Sequence, residues 1–300
     1  MPIGASARIP ALCGLLALGL SMARAQDDLS GPALDKARPQ LLAETASIAP
    51  GQTILLGVSF EIEPGWHTYW EGRNDTVPAP WIKFSVPEGF AVGELRWPAP
   101  HRHESPGALL DHVYERQVTI LAPLTAPAEL AAGQPVRIAA EVDWTACADI
   151  CLMAKGIVRL DLAVTSQPGG PGPQAARFAA ARARLPRPPR QSDRLAAIRS
   201  PAAVEIRAPG AARLAFYPHS EGPQTPSLLR DGAAEGDTLT VRIGPEAEPI
   251  SGVLEIWKDA QAKTGEVIEF QVTVDGAIRP IGRDALPPAP QEDPIRQSGG

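Results

Sequence analysis

Cys147 and Cys151 are the residues with the clearest chemistry. They lie in Trp144-Thr-Ala-Cys-Ala-Asp-Ile-Cys-Leu-Met153, with three residues between them. A tight hairpin over this segment brings both sulfurs within bonding reach. An oxidising compartment closes such a pair into a disulfide. The spacing differs from the two-residue, helix-borne spacing of a thioredoxin motif. Two uses compete. As a staple the pair is poor, because closing so short a loop is worth about 2 kcal/mol, against about 3 for a 15-residue loop. As an exchange site it needs an exposed sulfur and a thiolate of suitable pKa. The charge of Asp149, between the cysteines, raises a thiol pKa.

Other candidates are weaker. Gly65-Trp-His-Thr-Tyr-Trp70, with Pro78-Ala-Pro-Trp81, could form an aromatic platform or close one end of a β-sandwich. His101 and His103, two apart, share one face of an extended chain. With Cys147, Cys151 and Met153 they could hold copper(I), a soft metal; the plainer reading is exposed loop histidines. Ten of the 15 aromatic residues lie between Phe60 and Trp144, so any site belongs to that stretch. No Ser-His-Asp pattern, paired carboxylates or glycine-rich phosphate loop stands out.

Composition narrows the classes further. The chain is 44% hydrophobic and 21% charged over 300 residues, enough for real cores. Its 33 prolines argue against a helical bundle, and a net charge of −6 argues against a basic nucleic-acid binder. Arg8, the apolar run 11–22 and Ala23-Arg-Ala25 read as a secretory signal cleaved after Ala25. The run is too short to span a bilayer comfortably, and no later stretch is longer. Cleavage removes Cys13 and two arginines, leaving a net charge of −8 and only the Cys147/Cys151 pair.

The elements that position this pair are strands. Ile54, Leu56, Val58, Phe60 and Ile62 alternate with smaller or polar residues, and Ile82, Phe84 and Val86 repeat the pattern. Tyr114, Val118 and Ile120 form another run, interrupted by Arg116. Val136 to Trp144 and Val158 to Val164 place even-numbered residues inward on both strands flanking the cysteines. Odd-numbered Cys147 and Cys151 therefore point away from the core, toward solvent or a groove, unless a bulge intervenes. The breaker cluster at 168–173 precedes a short basic helix over Gln174–Leu185 and then Pro186-Arg-Pro-Pro-Arg190. Arg177, Arg182, Arg184, Arg187 and Arg190 could dock a partner or simply face solvent. Alternation resumes at Val204/Ile206, Leu214/Phe216, Leu239/Val241/Ile243, Val253/Trp257 and Ile268 to Val274.

GWHTYW (65–70), VPEG (86–89), RWPAP (96–100), VYERQVTI (113–120) and WTACADICL (144–152) occur in that order. Together they resemble the periplasmic N-terminal domain of the DsbD thiol:disulfide interchange family, including its ScsB-like relatives. The resemblance covers residues 41–166. It implies an immunoglobulin-like sandwich whose cysteines carry electrons from a membrane-embedded or thioredoxin-like reductase to oxidised periplasmic thiol proteins. It makes Cys151 the nucleophile and Cys147 the resolving cysteine, with a cap loop matching about Ser105 to His112. Two departures matter. Met153 stands where relatives often carry proline, and the sequence shows no transmembrane reductase or thioredoxin-like domain, so the expectation is that a separately encoded partner reduces this chain or that it has left electron transfer for another role.

The expected architecture is all-β, an immunoglobulin-like β-sandwich followed by a second, smaller β-domain. Its divisions are a signal peptide (1–25), a linker (26–40), the sandwich (41–166), a second linker with the helix (167–200), the second β-domain (201–282) and a disordered tail (283–300). The expected function is periplasmic thiol–disulfide exchange through Cys147 and Cys151, of the protein-disulfide reductase type. No cofactor, metal, nucleic acid or membrane span in the mature chain is expected. The alternative is a non-catalytic periplasmic module that docks a partner or copper and holds an inert disulfide.

Overall fold

The computed structural model describes residues 27–221, 225–244 and 248–291. The signal peptide lies outside these residues. No described helix is long and apolar enough to cross a membrane.

The first domain is a sandwich of two sheets. One is built on the long hairpin of Val136–Cys147 and Cys151–Val164, paired residue for residue from Val136↔Leu162 to Cys147↔Cys151. Two short strands, His67–Tyr69 and Trp81–Ser85, share the far edge of Val136–Cys147. Leu109–Glu115 and then His101–Ser105 extend the sheet beyond His67–Tyr69. The second sheet runs Ala37–Ala43, Thr53–Ile62, Gln117–Thr125, Ala91–Val92. Even-numbered residues of Thr53–Ile62 and of the hairpin meet between the sheets as one apolar cluster, as the period-two pattern requires. Arg116 marks where the chain leaves one sheet for the other. It adopts φ 62°, uncommon for a side chain other than glycine, and its carbonyl accepts from Ile62 N–H.

The outer face of the second sheet is also covered. The basic helix forms over Ala175–Ala183 and seats Phe178 and Ala181 on Leu55 and Leu121. Gly57 permits this approach, because a Cβ there would stand 2.5 Å from Thr119 Cγ2 and 3.1 Å from the Phe178 ring. Four of the five arginines of the run are engaged in ion pairs within the protein, and Arg190 is exposed. Arg177 pairs with Glu61, Arg182 with Glu44, Arg184 with Glu255, and Arg187 with Asp193 and Glu266.

Three expected irregular segments carry structure. Residues 26–40, read as a linker, include a strand Asp28–Ser30 paired with Lys155–Ile157 and the start of Ala37–Ala43. Their polar composition hid this, because edge strands bury little side-chain surface. The second linker ends in a strand, Ala196–Arg199, that pairs with Ala203–Arg207. In the tail, Arg283 makes a two-point ion pair with Glu269, and Arg96 donates to the Asp284 carbonyl. Residues 292–300 lie outside the described ones.

The second β-domain packs the sheet Ala196–Arg199, Ala203–Arg207, Thr238–Arg242 against Ala233–Glu235, Arg213–Pro218, Ile250–Trp257, Glu266–Val272, Ile278–Pro280. Its own core uses Leu254 and Ile256. Val253 and Trp257, expected inside it, face the other way and join Ala215, Tyr217 and Val267 in the apolar cluster of the first domain. The two domains therefore share buried apolar surface. Arg184 donates to Glu255 across this junction at 2.7 Å, where Tyr217, from the neighbouring strand of the same sheet as Glu255, also donates to that carboxylate at 2.7 Å, and Arg102 donates to the carbonyls of Leu228 and Leu229.

Candidate redox site at the end of the cysteine hairpin

Cys147 and Cys151 close the hairpin as directly opposed residues, with Cα atoms 4.2 Å apart and their sulfurs joined in a disulfide. Ala148 N–H donates to the Ile150 carbonyl at 3.0 Å inside the three-residue turn. Ala148, Asp149 and Ile150 are exposed.

The two cysteines differ in environment. Both point away from the main core, as their odd numbers require. Cys147, however, is only 2% exposed, because Tyr69, Val113 and Val77 pack over it. Cys151 is exposed. Met153, two residues on along the same face, is 72% exposed and borders a groove of about 510 Å³ with Pro78, Ala79 and Trp81. A partner sulfur approaching from solvent meets Cys151 first.

The strand His67–Tyr69 lies against Cys147 on the side opposite Cys151. Thr68 Oγ1 ties it down by donating to the Thr145 carbonyl at 3.0 Å. His67 and Tyr69 share the outer face with the cysteines. Tyr69 Oη stands 4.0 Å from Cys151 Sγ and 3.3 Å from His67 Nε2. Burial, with help from His103, pushes the His67 pKa down to about 4; burial pushes the Tyr69 hydroxyl up. His67 is therefore a neutral imidazole at pH 7.

The cover over Cys147 is held by a loop. Asn74 Oδ1 accepts from His112 N–H, Asp75 Oδ2 accepts from Leu110 N–H, and Thr76 donates to Asp111 through both N–H and Oγ1. These bonds pin the loop to strand Leu109–Glu115 and set Val77 on the cysteine. The cap was expected within Ser105 to His112. That segment forms the end of a hairpin, and the side chains in the apolar cluster with Cys147 are Tyr69, Val113 and Val77.

The other sequence candidates separate. The 65–70 segment is not an open aromatic platform: Tyr69 and Trp70 are buried, Trp70 against Tyr217 and His112 at the domain junction. His101 is exposed, while the His103 ring lies 4.4 Å from that of His67. Among the described residues, no group of three or more His, Cys, Asp or Glu could hold a metal ion. His67 and Tyr69 were the residues that sequence reasoning left out of the redox site. Their i, i+2 spacing shows one shared face, but the pairing that sets this face beside Cys151 is long-range.

The comparisons with known proteins agree with this geometry. Residues 38–161 match the family model described as "Thiol:disulfide interchange protein DsbD, N-terminal". Among solved structures, the N-terminal periplasmic domain of ScsB from Proteus mirabilis matches with a TM-score of 0.55 at 14% identity, covering 81% of this chain and 96% of that one. That share exceeds residues 38–161 and reaches at least part of the second β-domain. Spo0M, a sporulation control protein from Bacillus subtilis, aligns with a TM-score of 0.22 at 9% identity over 79% of this chain and 89% of its own, too low to indicate a shared fold. A search of curated proteins finds no match. The segment 38–161, which contains the cysteine hairpin, thus matches the DsbD N-terminal family model, and the nearly all-β chain resembles the immunoglobulin-like domain of that family.

Proposed function

We propose that this protein is a periplasmic thiol–disulfide exchange protein that passes electrons from a membrane-embedded or thioredoxin-like reductase to oxidised thiol proteins. The observation that carries the reading is the contrast within one disulfide, an exposed Cys151 bonded to a buried Cys147. A disulfide that only staples a fold has no need of a sulfur presented to solvent. The match of this segment to the DsbD N-terminal family model supports the same chemistry, and the likeness to the periplasmic domain of ScsB supports the location.

In the reduced protein, the Cys151 thiolate attacks a partner disulfide. A bond forms between Cys151 Sγ and the attacked sulfur, and the partner's other sulfur leaves as a thiolate. Cys147, deprotonated in turn, attacks Cys151 Sγ, restores the intramolecular disulfide and expels the partner's first sulfur. Two electrons pass to the partner, and the two protons lost by the pair equal the two taken up by the partner's thiols. A reductase regenerates the pair by the reverse sequence, beginning at Cys151 because Cys147 is covered.

The test is the reduction potential, measured by thiol trapping in glutathione buffers. A value between about −120 and −270 mV supports a carrier, and one below about −300 mV marks a structural disulfide.

A further inference from the structure

We propose that Tyr69 donates a hydrogen bond to the Cys151 thiolate in the reduced protein, and that His67 is a positioning residue that turns the tyrosine O–H toward the sulfur. The proposal rests on the exchange reading above and adds to it the groups that tune the nucleophile.

Tyr69 is almost fully buried, so its hydroxyl relies on protein partners. Two polar atoms compete for its single proton, His67 Nε2 at 3.3 Å and Cys151 Sγ at 4.0 Å; the nearby Thr76 hydroxyl gives its own proton to Asp111 and bears on Tyr69 as a third hydrogen-bonding neighbour. A neutral imidazole has one N–H donor and one bare acceptor nitrogen. With the proton on Nε2, His67 donates to Tyr69 Oη, and the tyrosine proton is free for the sulfur. With Nε2 bare, the tyrosine proton is drawn to the histidine and the sulfur receives nothing. A thiolate decides between them, because a hydrogen bond to a charged acceptor is roughly twice as strong as a neutral one. Formation of the thiolate therefore favours the Nε2–H tautomer.

The surroundings suit these roles. His103 faces His67 from strand His101–Ser105, Asp111 and Glu115 from strand Leu109–Glu115, and Thr76 lies toward Tyr69 from the covering loop. Asp149 sits in the turn beside Cys151. The Asp111 carboxylate is engaged by Thr76 and does not take the tyrosine proton. Burial holds His67 neutral and keeps Tyr69 protonated while Cys151 ionises.

The experiment follows the pH dependence of Cys151 alkylation by iodoacetamide in the Cys147→Ser protein, where Cys151 is the single free thiol of the mature chain. Adding Tyr69→Phe raises the apparent pKa of Cys151 by about one unit, the worth of one charge-assisted hydrogen bond. His67→Leu moves it the same way, and His67→Gln, which keeps an N–H donor, restores it. An unchanged pKa in a folded Tyr69→Phe protein overturns the thiolate bond, and failure of His67→Gln to restore the value overturns the positioning role. Should Tyr69→Phe not fold, 3-fluorotyrosine at position 69, a stronger donor, lowers the Cys151 pKa, and no change there overturns the bond equally. The wild-type reduction potential is a separate readout. A potential below about −300 mV sinks the exchange reading even if the pKa shifts are found.

Discussion

Cys147 and Cys151 are opposite neighbours across one hairpin, yet the first lies beneath Tyr69, Val113 and Val77 while the second is exposed. This asymmetry distinguishes two cysteines that strand parity alone makes equivalent. In Cys147→Ser the remaining thiol is accessible and lacks its resolving partner. That variant accumulates mixed disulfides with partner proteins on non-reducing gels, whereas Cys151→Ser does not. Equal trapping by both variants would contradict the assignment of Cys151 as the nucleophile.

Phe178 is the anchor of the helix Ala175–Ala183, fully buried on Leu55 and Leu121. Phe178→Ala removes a large ring from a site pinned on both sides by ion pairs, so the cavity collapses poorly. The expected loss is about 3–5 kcal/mol in urea denaturation. The reduction potential stays put, because the helix covers the sheet that does not contain the cysteines.

Arg184 and Tyr217 both reach the carboxylate of Glu255, which is 1% exposed at the junction of the domains. Arg184→Ala leaves that charge buried with one neutral donor and the Gly265 N–H. Breaking a buried pair from one side costs about 3–5 kcal/mol. Arg184→Ala with Glu255→Gln recovers part of the loss, and a double-mutant cycle measures how much.

His112 is fully buried between Trp70 and Tyr217, with Nδ1 hydrogen-bonded to the Arg73 carbonyl at 2.6 Å. Burial pushes its pKa from 6.5 down to about 3. Above pH 6.5 the residue is neutral in both the folded and unfolded chain. As the pH falls from 6.5 toward 3, the unfolded chain takes up a proton that the folded one refuses, and stability is lost. In His112→Asn this part of the acid destabilisation disappears, while stability at pH 8 drops because the ring's packing is gone. Parallel stability–pH curves for the two proteins would show that His112 does not supply it.

Much of the first domain was legible in the sequence because a strand has a period of two. Ile54 to Ile62 and Val136 to Val164 declare which residues share a face, and the cysteine spacing requires a tight turn between paired strands. The candidate redox site was legible only in part, since Cys147 and Cys151 announce themselves and their neighbours do not. Periodicity says which side chains travel together but not what covers them. Whether odd-numbered Cys147 meets solvent or Val77 depends on contacts made by a loop about 70 residues earlier in the chain. Val253 and Trp257 have the alternation of core residues and are buried, but by the other domain. Asp28–Ser30 carries no pattern of its own and becomes a strand because Lys155–Ile157 offers it an edge. The sequence by itself determined the β architecture and the cysteine pair, since both follow from local spacing. The tertiary structure decided which sulfur is presented, and that Tyr69 and His67 stand beside it, because these depend on pairings between distant segments that only the folded chain makes.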